Sequence, residues 1–119
     1  MKKISVVTPC YNEEVNVEAL YLKVKEIFKK LGAYDYEHLF IDNASTDGTQ
    51  GILKRLAAAD SNVKVIINTR NFGWIRSPFY GLIQAEGDAV ILLVADFQDP
   101  PELISDFLRK WEEGYKVVL

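Results

Sequence analysis

Apolar and polar positions alternate along the chain in a pattern that predicts repeated strand–helix units. Residues 4–8 form a short β-branched run ended by Pro9, which is typical of a buried strand. Residues 15–31 then carry apolar side chains at helical spacing, and Gly32 closes the segment. The same alternation continues to the last residue. The further predicted strands are 36–41, 63–67, 89–95 and 116–119, and the further predicted helices are 49–59, 75–86 and 100–113.

This alternation predicts an α/β fold with an open, mostly parallel sheet and helices on both faces. No repeat, low-complexity tract or linker interrupts residues 1–119, so we expect one domain. The chain stops inside the predicted fifth strand, and we expect this domain to be truncated. A sheet that lacks later strands exposes unpaired backbone and apolar surface, which favours self-association.

Composition and charge exclude several classes of protein. Of the 119 residues, 49% are hydrophobic and 26% are charged, which is typical of a soluble globular domain rather than a disordered chain. The net charge is -3 without any concentration of Lys and Arg, so nucleic acid is not an expected partner. Cys10 is the single cysteine, which indicates a cytoplasmic setting. No segment approaches the roughly 18 consecutive apolar residues of a membrane span.

Polar clusters follow the ends of the first four predicted strands. They occupy residues 8–14, 42–48, 68–73 and 96–99. Ligands of open parallel sheets bind outside the carboxyl ends of the strands. The four clusters therefore predict a binding site at one edge of the sheet.

The kind of site is narrowed by the motifs that are absent. Neither G-x-G-x-x-G nor G-x-x-x-x-G-K-[ST] occurs, and Pro9-Cys10-Tyr11-Asn12 follows the first strand instead. Without a glycine-rich cradle, a phosphate-bearing ligand needs a cation, such as Mg²⁺ or Mn²⁺ held by a carboxylate and by the phosphates. Residues 96–99 offer oxygen ligands directly after the predicted central strand.

Four segments resemble family 2 glycosyltransferases in order and spacing. They are residues 9–14 (PCYNEE), 42–49 (DNASTDGT), 70–73 (RNFG) and 95–102 (ADFQDPPE). The nearest branch is that of the polyprenol-phosphate glycosyltransferases, related to dolichol-phosphate mannose synthases and bactoprenol glucosyltransferases. The resemblance covers essentially the whole chain. It implies the Rossmann-like, nucleotide-binding half of the glycosyltransferase A-type fold.

The resemblance also implies an activity and the residues that bind the nucleotide. The reaction would be inverting transfer from a UDP- or GDP-sugar to a lipid-phosphate or saccharide acceptor in cell-envelope glycan synthesis. Pro9, Tyr11 and Glu13 would pack round the base and ribose, and Asp42 would hydrogen-bond the base. The turn near the base or diphosphate would contain Arg70, Asn71 and Gly73.

The metal assignment rests on a motif that this chain alters. The family's Asp-x-Asp motif binds the divalent ion that bridges the diphosphate, which the resemblance carries over to Asp96 and Gln98. Val94 occupies the position of the first aspartate. No residue matches the family's general base, and members continue beyond this length with acceptor contacts and often membrane helices. We therefore expect membrane contact only through a missing carboxyl-terminal part, and little or no turnover by this chain alone.

Several of these residues also have a structural explanation. Asp99 forms a capping-box-like helix start, which favours helix capping as its role. Asn12 is suited to cap the first helix, and Ser45 or Thr46 to cap the second. His38 lies within an alternating strand, so we expect a packed or edge residue rather than a catalytic one.

Two other functions remain open at this stage. A receiver-type phosphoacceptor domain has a similar size and alternation, although it needs an acidic pair after its first strand, where this chain has Thr8 and Pro9. A non-catalytic nucleotide-binding module is suggested by Val94. Nucleotide binding that is indifferent to metal would favour the module.

Overall fold

A computed structural model describes residues 2–68, 87–95 and 102–113. The elements are β1 (Lys2–Cys10), α1 (Val17–Leu31), β2 (Tyr34–Asn43), α2 (Thr49–Ala59), β3 (Val63–Asn68), β4 (Ala89–Leu92) and α3 (Leu103–Glu112). The predicted helix 75–86 and the predicted strand 116–119 lie outside the described residues. Within these described ranges, no helix combines the length and apolar character needed to cross a bilayer.

The described strands form one parallel sheet in the order β3-β2-β1-β4. The pairing of β1 with β2 runs from Lys2 opposite Tyr34 to Cys10 opposite Asp42. This confirms the predicted mostly parallel α/β fold. It contradicts the receiver-type alternative, because in that fold the third strand pairs with the first, whereas β3 here pairs with β2.

The predicted and observed element bounds differ mainly at strand ends. The first two strands begin earlier than predicted because Lys2 and Lys3 pair through their backbones with Tyr34 and Asp35, although all four side chains are polar or amphipathic. Helix α2 has the predicted bounds. Helix α1 begins two residues later than predicted, which leaves Val15 outside it and 83% exposed. The last described helix begins at residue 103 rather than 100, and its predicted cap at residue 99 is not among the described residues.

Helices α1, α2 and α3 pack on one face of the sheet. Helix α1 turns a continuous apolar stripe towards that face, and Phe28 stacks on Tyr36 of β2 with ring centroids 4.5 Å apart. Gly32 then ends the helix at a φ of 68°, and its N–H donates to the Phe28 carbonyl. This face holds most of the described core. Burying each large aliphatic side chain there contributes about 1.5–3 kcal/mol. The buried helical residues of this face are Val17, Leu20, Tyr21, Val24, Ile27, Phe28, Leu53, Leu56, Ile104 and Leu108.

A buried carboxylate marks the amino half of the opposite face. Glu37 is 2% exposed and accepts a hydrogen bond from Ser5 Oγ at 2.7 Å. Lys64 Nζ lies 2.7 Å from Glu37 Oε2, so the charge is paired. The Gly87 N–H donates to Ser5 Oγ, and a Cβ at Gly87 would lie within 2.7 Å of the Ser5 nitrogen. Only glycine permits this approach, which fixes the entry of the chain into β4.

Pro9 ends the pairing of β1 with β4. The last ladder bond between these strands runs from the Leu93 N–H to the Val7 carbonyl at 2.9 Å. In a parallel ladder the next bond would run from the N–H of residue 9 to the Leu93 carbonyl, and proline has no N–H. From β1, the chain adds β2 and β3 on one side of the sheet and then β4 on the other side, so the direction of winding changes between β1 and β4. The two strands are therefore unpaired at the switch point, where open α/β sheets bind ligands.

His38 lies in the core beside this edge, as its place in the strand predicted. It is fully buried, its Nε2 lies 2.8 Å from Thr8 Oγ1, and its ring stacks on Phe40. Burial lowers the pKa of His38 from 6.5 to about 3. The folded protein therefore keeps this ring neutral while the unfolded chain binds a proton below pH 6.5.

This difference in proton binding predicts a specific loss of stability in acid. Between about pH 6 and pH 4, the free energy of unfolding should fall with an extra slope approaching ~1.4 kcal/mol per pH unit because of His38. Replacing His38, the single histidine of the chain, by glutamine should remove that part of the slope. Urea unfolding of both proteins at pH 7, 6, 5 and 4 measures the difference. A wild-type-minus-variant difference that is constant across pH would contradict it.

Candidate functional site

The carboxyl edge of the sheet brings together four of the residues predicted to bind a ligand. Pro9 is buried at the end of β1, and Tyr11 follows it with 47% of its surface exposed. Glu13 is half-buried, and its Oε2 accepts a hydrogen bond from Asn16. Asp42 lies directly across from Cys10 at the end of β2. The parallel register places these side chains at neighbouring strand ends and on the loop after β1, at one edge of the sheet, as the clusters in the sequence predicted.

The loop after β1 and the loop after β2 are joined by hydrogen bonds that centre on Asn12. Asn12 Oδ1 accepts from the N–H of Thr46 at 2.8 Å and from the N–H of Asp47 at 3.3 Å. The Asn12 N–H donates to Ser45 Oγ at 2.9 Å. Asn12 therefore does not cap α1, which was one expectation for it; Asn16 precedes that helix and makes no side-chain capping bond. The polar groups of Asn12 instead connect the loop after β1 to the loop after β2.

A second group of contacts holds the start of α2. Gly48 is the N-cap of α2, so neither of the predicted caps, Ser45 and Thr46, takes that position. Asp47, one residue earlier, accepts a hydrogen bond from the Thr49 N–H at 2.9 Å and so holds the first residue of the helix. Burial acts to raise the pKa of Asp47, but hydrogen bonds from Thr49 and the backbone outweigh it and hold the pKa below its usual range. Glu14 Oε2 accepts from the Gly48 N–H at 3.0 Å, which ties the first loop to the same turn.

Asp42 is completely buried and is already bonded within the protein. Its oxygens accept from the Ser45 N–H, from Ser45 Oγ and from Gln50 Nε2 at 2.8 Å. The sequence did not indicate Gln50, because its contact with Asp42 forms only once the intervening loop folds back. Through these hydrogen bonds, Asp42 fixes the shape of the loop after β2 from the end of the strand.

Two asparagines lie at the same edge on the opposite face of β2 and β3. Asn43 is 5% exposed, and its Oδ1 accepts from Asn68 Nδ2 at 2.9 Å. The register pairs Asn43 with Asn68, so the side chains extend from one face of adjacent strands. Both residues belong to the predicted polar clusters. Successive side chains of a strand point to opposite faces of the sheet, and this alternation is the signal that could have separated the two asparagines from Asp42.

The charge of the two loops is entirely negative. Residues 9–16 and 42–50 contain Glu13, Glu14, Asp42 and Asp47 and have no Lys or Arg. Burial, followed by the charges of Asp42 and Glu13, raises the pKa of the Cys10 thiol above its usual range. An anionic ligand at this edge therefore needs positive charge from elsewhere.

The remaining predicted site residues lie outside the described residues. They are Arg70, Asn71, Gly73, Asp96 and Gln98. The chain leading to Asp96 is described as far as Ala95, which is buried, while Val94 is half-buried and supplies no ligand atom. Residues 2–68, 87–95 and 102–113 contain no group of three or more His, Cys, Asp or Glu side chains placed to hold a metal ion.

Comparisons with known proteins agree on one family. The sequence model "Glycosyl transferase family 2" matches residues 5–119. The chain is 43% identical over 117 residues to a bactoprenol glucosyl transferase of Shigella phage SfV, covering 98% of this chain and 38% of that protein.

Two solved structures have a similar fold. S. aureus TarS in complex with UDP-GlcNAc has a TM-score of 0.74 and 29% identity, with 93% of this chain and 31% of that chain covered. A mannosyltransferase from Pyrobaculum calidifontis, in complex with GDP-Man and Mn²⁺, has a TM-score of 0.68 and 24% identity, covering 92% and 32%. The chain thus spans about a third of the length of these proteins.

The loop after β2 contains an alanine in a conformation that favours glycine. Ala44 has a φ of 59°, which costs an L-residue about 1 kcal/mol or more. We expect Ala44→Gly to raise the free energy of unfolding by about 1 kcal/mol, measured by urea denaturation. The matched control is Ala33→Gly, since Ala33 is exposed and its φ is not positive. That change should lower stability by about 0.5 kcal/mol, and an equal loss in both variants would refute the argument.

Proposed function

Because this chain belongs to family 2 of the glycosyltransferases, we propose that it binds the nucleotide of an activated sugar at the carboxyl edge of its sheet. The donor is a UDP- or GDP-sugar. The observation that carries the proposal is the pair of hydrogen-bonded loops after β1 and β2, which lies beside the unpaired switch point between β1 and β4.

The nucleoside would bind on the loops that the structure describes. Tyr11 offers an exposed aromatic face at the rim, suited to contact a base or ribose, with Pro9 and Glu13 beside it. Asp42 would contribute by holding Ser45 and the loop in shape, because its oxygens already have internal donors. Arg70, Asn71 and Gly73 remain predicted contacts to the base or diphosphate.

The diphosphate would lie towards the end of β4, away from the four carboxylates. Its charge requires a cation, and we propose Mg²⁺ or Mn²⁺ held by Asp96 and Gln98 together with phosphate oxygens and water. The mannosyltransferase of similar fold was solved with Mn²⁺ and GDP-Man, which supports the class of ion. A bound ion would stabilise negative charge on the leaving diphosphate. Val94 stands where the family motif has its first aspartate, so this chain's own residues would supply the ion with one ligand fewer.

The whole protein would transfer the sugar with inversion. An acceptor oxygen attacks the anomeric carbon as the bond to the nucleoside diphosphate breaks, and a hydroxyl acceptor also loses its proton to a general base outside this chain. The bactoprenol transferase that this chain resembles supports a lipid-phosphate acceptor in cell-envelope glycan synthesis, and a saccharide is the alternative. Such an acceptor would be met at the cytoplasmic surface of a membrane.

Nucleotide binding is the first test of this proposal. We expect UDP or GDP to bind in calorimetry with Mn²⁺ present, and Tyr11→Ala to weaken that binding about five- to tenfold, since an aromatic contact contributes about 1 kcal/mol. The matched control is Tyr34→Ala at the opposite edge of the sheet, which should leave affinity unchanged. If neither UDP nor GDP binds, the proposal is rejected.

The metal is tested separately by omitting Mn²⁺ and by replacing Asp96. Wild-type affinity should rise when Mn²⁺ is added, and Asp96→Asn should remove that increase because it removes the proposed carboxylate ligand. Asp106→Asn, a change to an exposed carboxylate of α3, is the control and should keep the full increase. Binding that is indifferent to both Mn²⁺ and Asp96 would instead favour a non-catalytic nucleotide-binding module.

A further inference from the structure

We propose that Asn12 is a positioning residue for nucleotide binding: its side chain holds the loop after β2 against the loop that presents Tyr11. This inference rests on the proposed function, but it concerns a residue for which the sequence indicated only a capping role. Asn12 touches neither base nor phosphate in the proposal. It acts through the two loops.

The side-chain oxygen of Asn12 serves a single turn of the neighbouring loop. It accepts from the N–H groups of Thr46 and Asp47, and Thr46 Oγ1 lies 3.4 Å away. These two N–H groups lie just before α2, where the backbone has no helical partner. Asn12 therefore fixes the path of the second loop between the end of β2 and the start of the helix.

The backbone of Asn12 extends the same connection to the buried end of β2. Its N–H donates to Ser45 Oγ, and Ser45 Oγ donates to Asp42. Asn12 has a φ of 52°, a left-handed conformation that asparagine adopts more readily than most residues. Asn12 directly follows Tyr11 in the chain, so its hydrogen bonds anchor the loop that exposes the aromatic ring.

Loss of these contacts would lower the fraction of molecules with both loops in the binding arrangement. The apparent dissociation constant rises in inverse proportion to that fraction. If one-tenth of the molecules keep the arrangement, UDP binds about tenfold more weakly. A purely structural role would instead lower the melting temperature without a specific effect on the nucleotide.

Asn62 is a suitable control because it makes comparable bonds at the opposite edge of the sheet. Its N–H donates to Asp60 Oδ1 and its Nδ2 donates to the Tyr36 carbonyl, both at 2.9 Å. It immediately precedes β3, at the amino end of that strand. Truncating Asn62 to alanine thus removes the side-chain hydrogen bond to the Tyr36 carbonyl from a strand-end turn, without disturbing the carboxyl edge.

The experiment compares Asn12→Gly with Asn62→Ala for both melting temperature and UDP affinity in the presence of Mn²⁺. Glycine suits the positive φ at residue 12, so the variant removes the side-chain bonds without adding backbone strain. Both variants should melt at lower temperature, but only Asn12→Gly should weaken UDP binding, by about tenfold. Amide hydrogen exchange at Thr46 and Asp47 should accelerate in Asn12→Gly alone.

The outcomes separate this inference from the proposed function. If the wild-type protein binds neither UDP nor GDP, the proposed function fails and the inference fails with it. If the wild type binds and Asn12→Gly binds equally well, or if both variants weaken binding equally, only the inference is overturned. Should Asn12→Gly fail to fold, Ser45→Ala removes the contact of the Asn12 N–H and should also weaken UDP binding several-fold; unchanged affinity there would overturn the inference as well.

Discussion

The parallel pairing of β1 with β2 is the constraint on which the rest of this structure depends. It places Cys10 opposite Asp42, so the two following loops leave the sheet at the same level. Hydrogen bonds between residues more than thirty positions apart become possible only because of this register. A shift by one residue would move Asp42 to the other face of the sheet and separate it from the helices.

Charge divides the carboxyl edge into two parts with different requirements. The loops after β1 and β2 carry four carboxylates, which are used by backbone N–H groups, Ser45, Asn16 and Gln50. These acidic groups organise the loops and are poorly suited to a diphosphate. In the proposed complex, positive charge would come from Arg70 or from a cation near Asp96.

Sequence periodicity predicted the topology better than it predicted the contacts of the site. Helix α2 has its predicted bounds, because its apolar spacing is regular and its flanking segments are polar. The first two strands were predicted too short, since Lys2 and Tyr34 pair through backbone atoms that side-chain patterns do not report. The fourth strand was predicted too long, because β4 ends at Leu92 rather than at residue 95. The capping role expected for Asn12 was wrong and Gln50 was not indicated at all, because the partners of both residues depend on loop geometry rather than on spacing. Asp42 was placed at the correct edge, but its complete burial followed only from the fold.

Pro9 shows that stability and openness compete for the same backbone groups at this edge. A residue with an N–H at this position could extend the ladder to the Leu93 carbonyl and strengthen the sheet. That extra bond would draw β4 towards β1 and narrow the opening between them. Selection for a more robust fold and selection for access to the sheet therefore act in opposite directions on one residue. A thermostable homologue would be expected to gain its stability elsewhere and to keep an imino acid at this position.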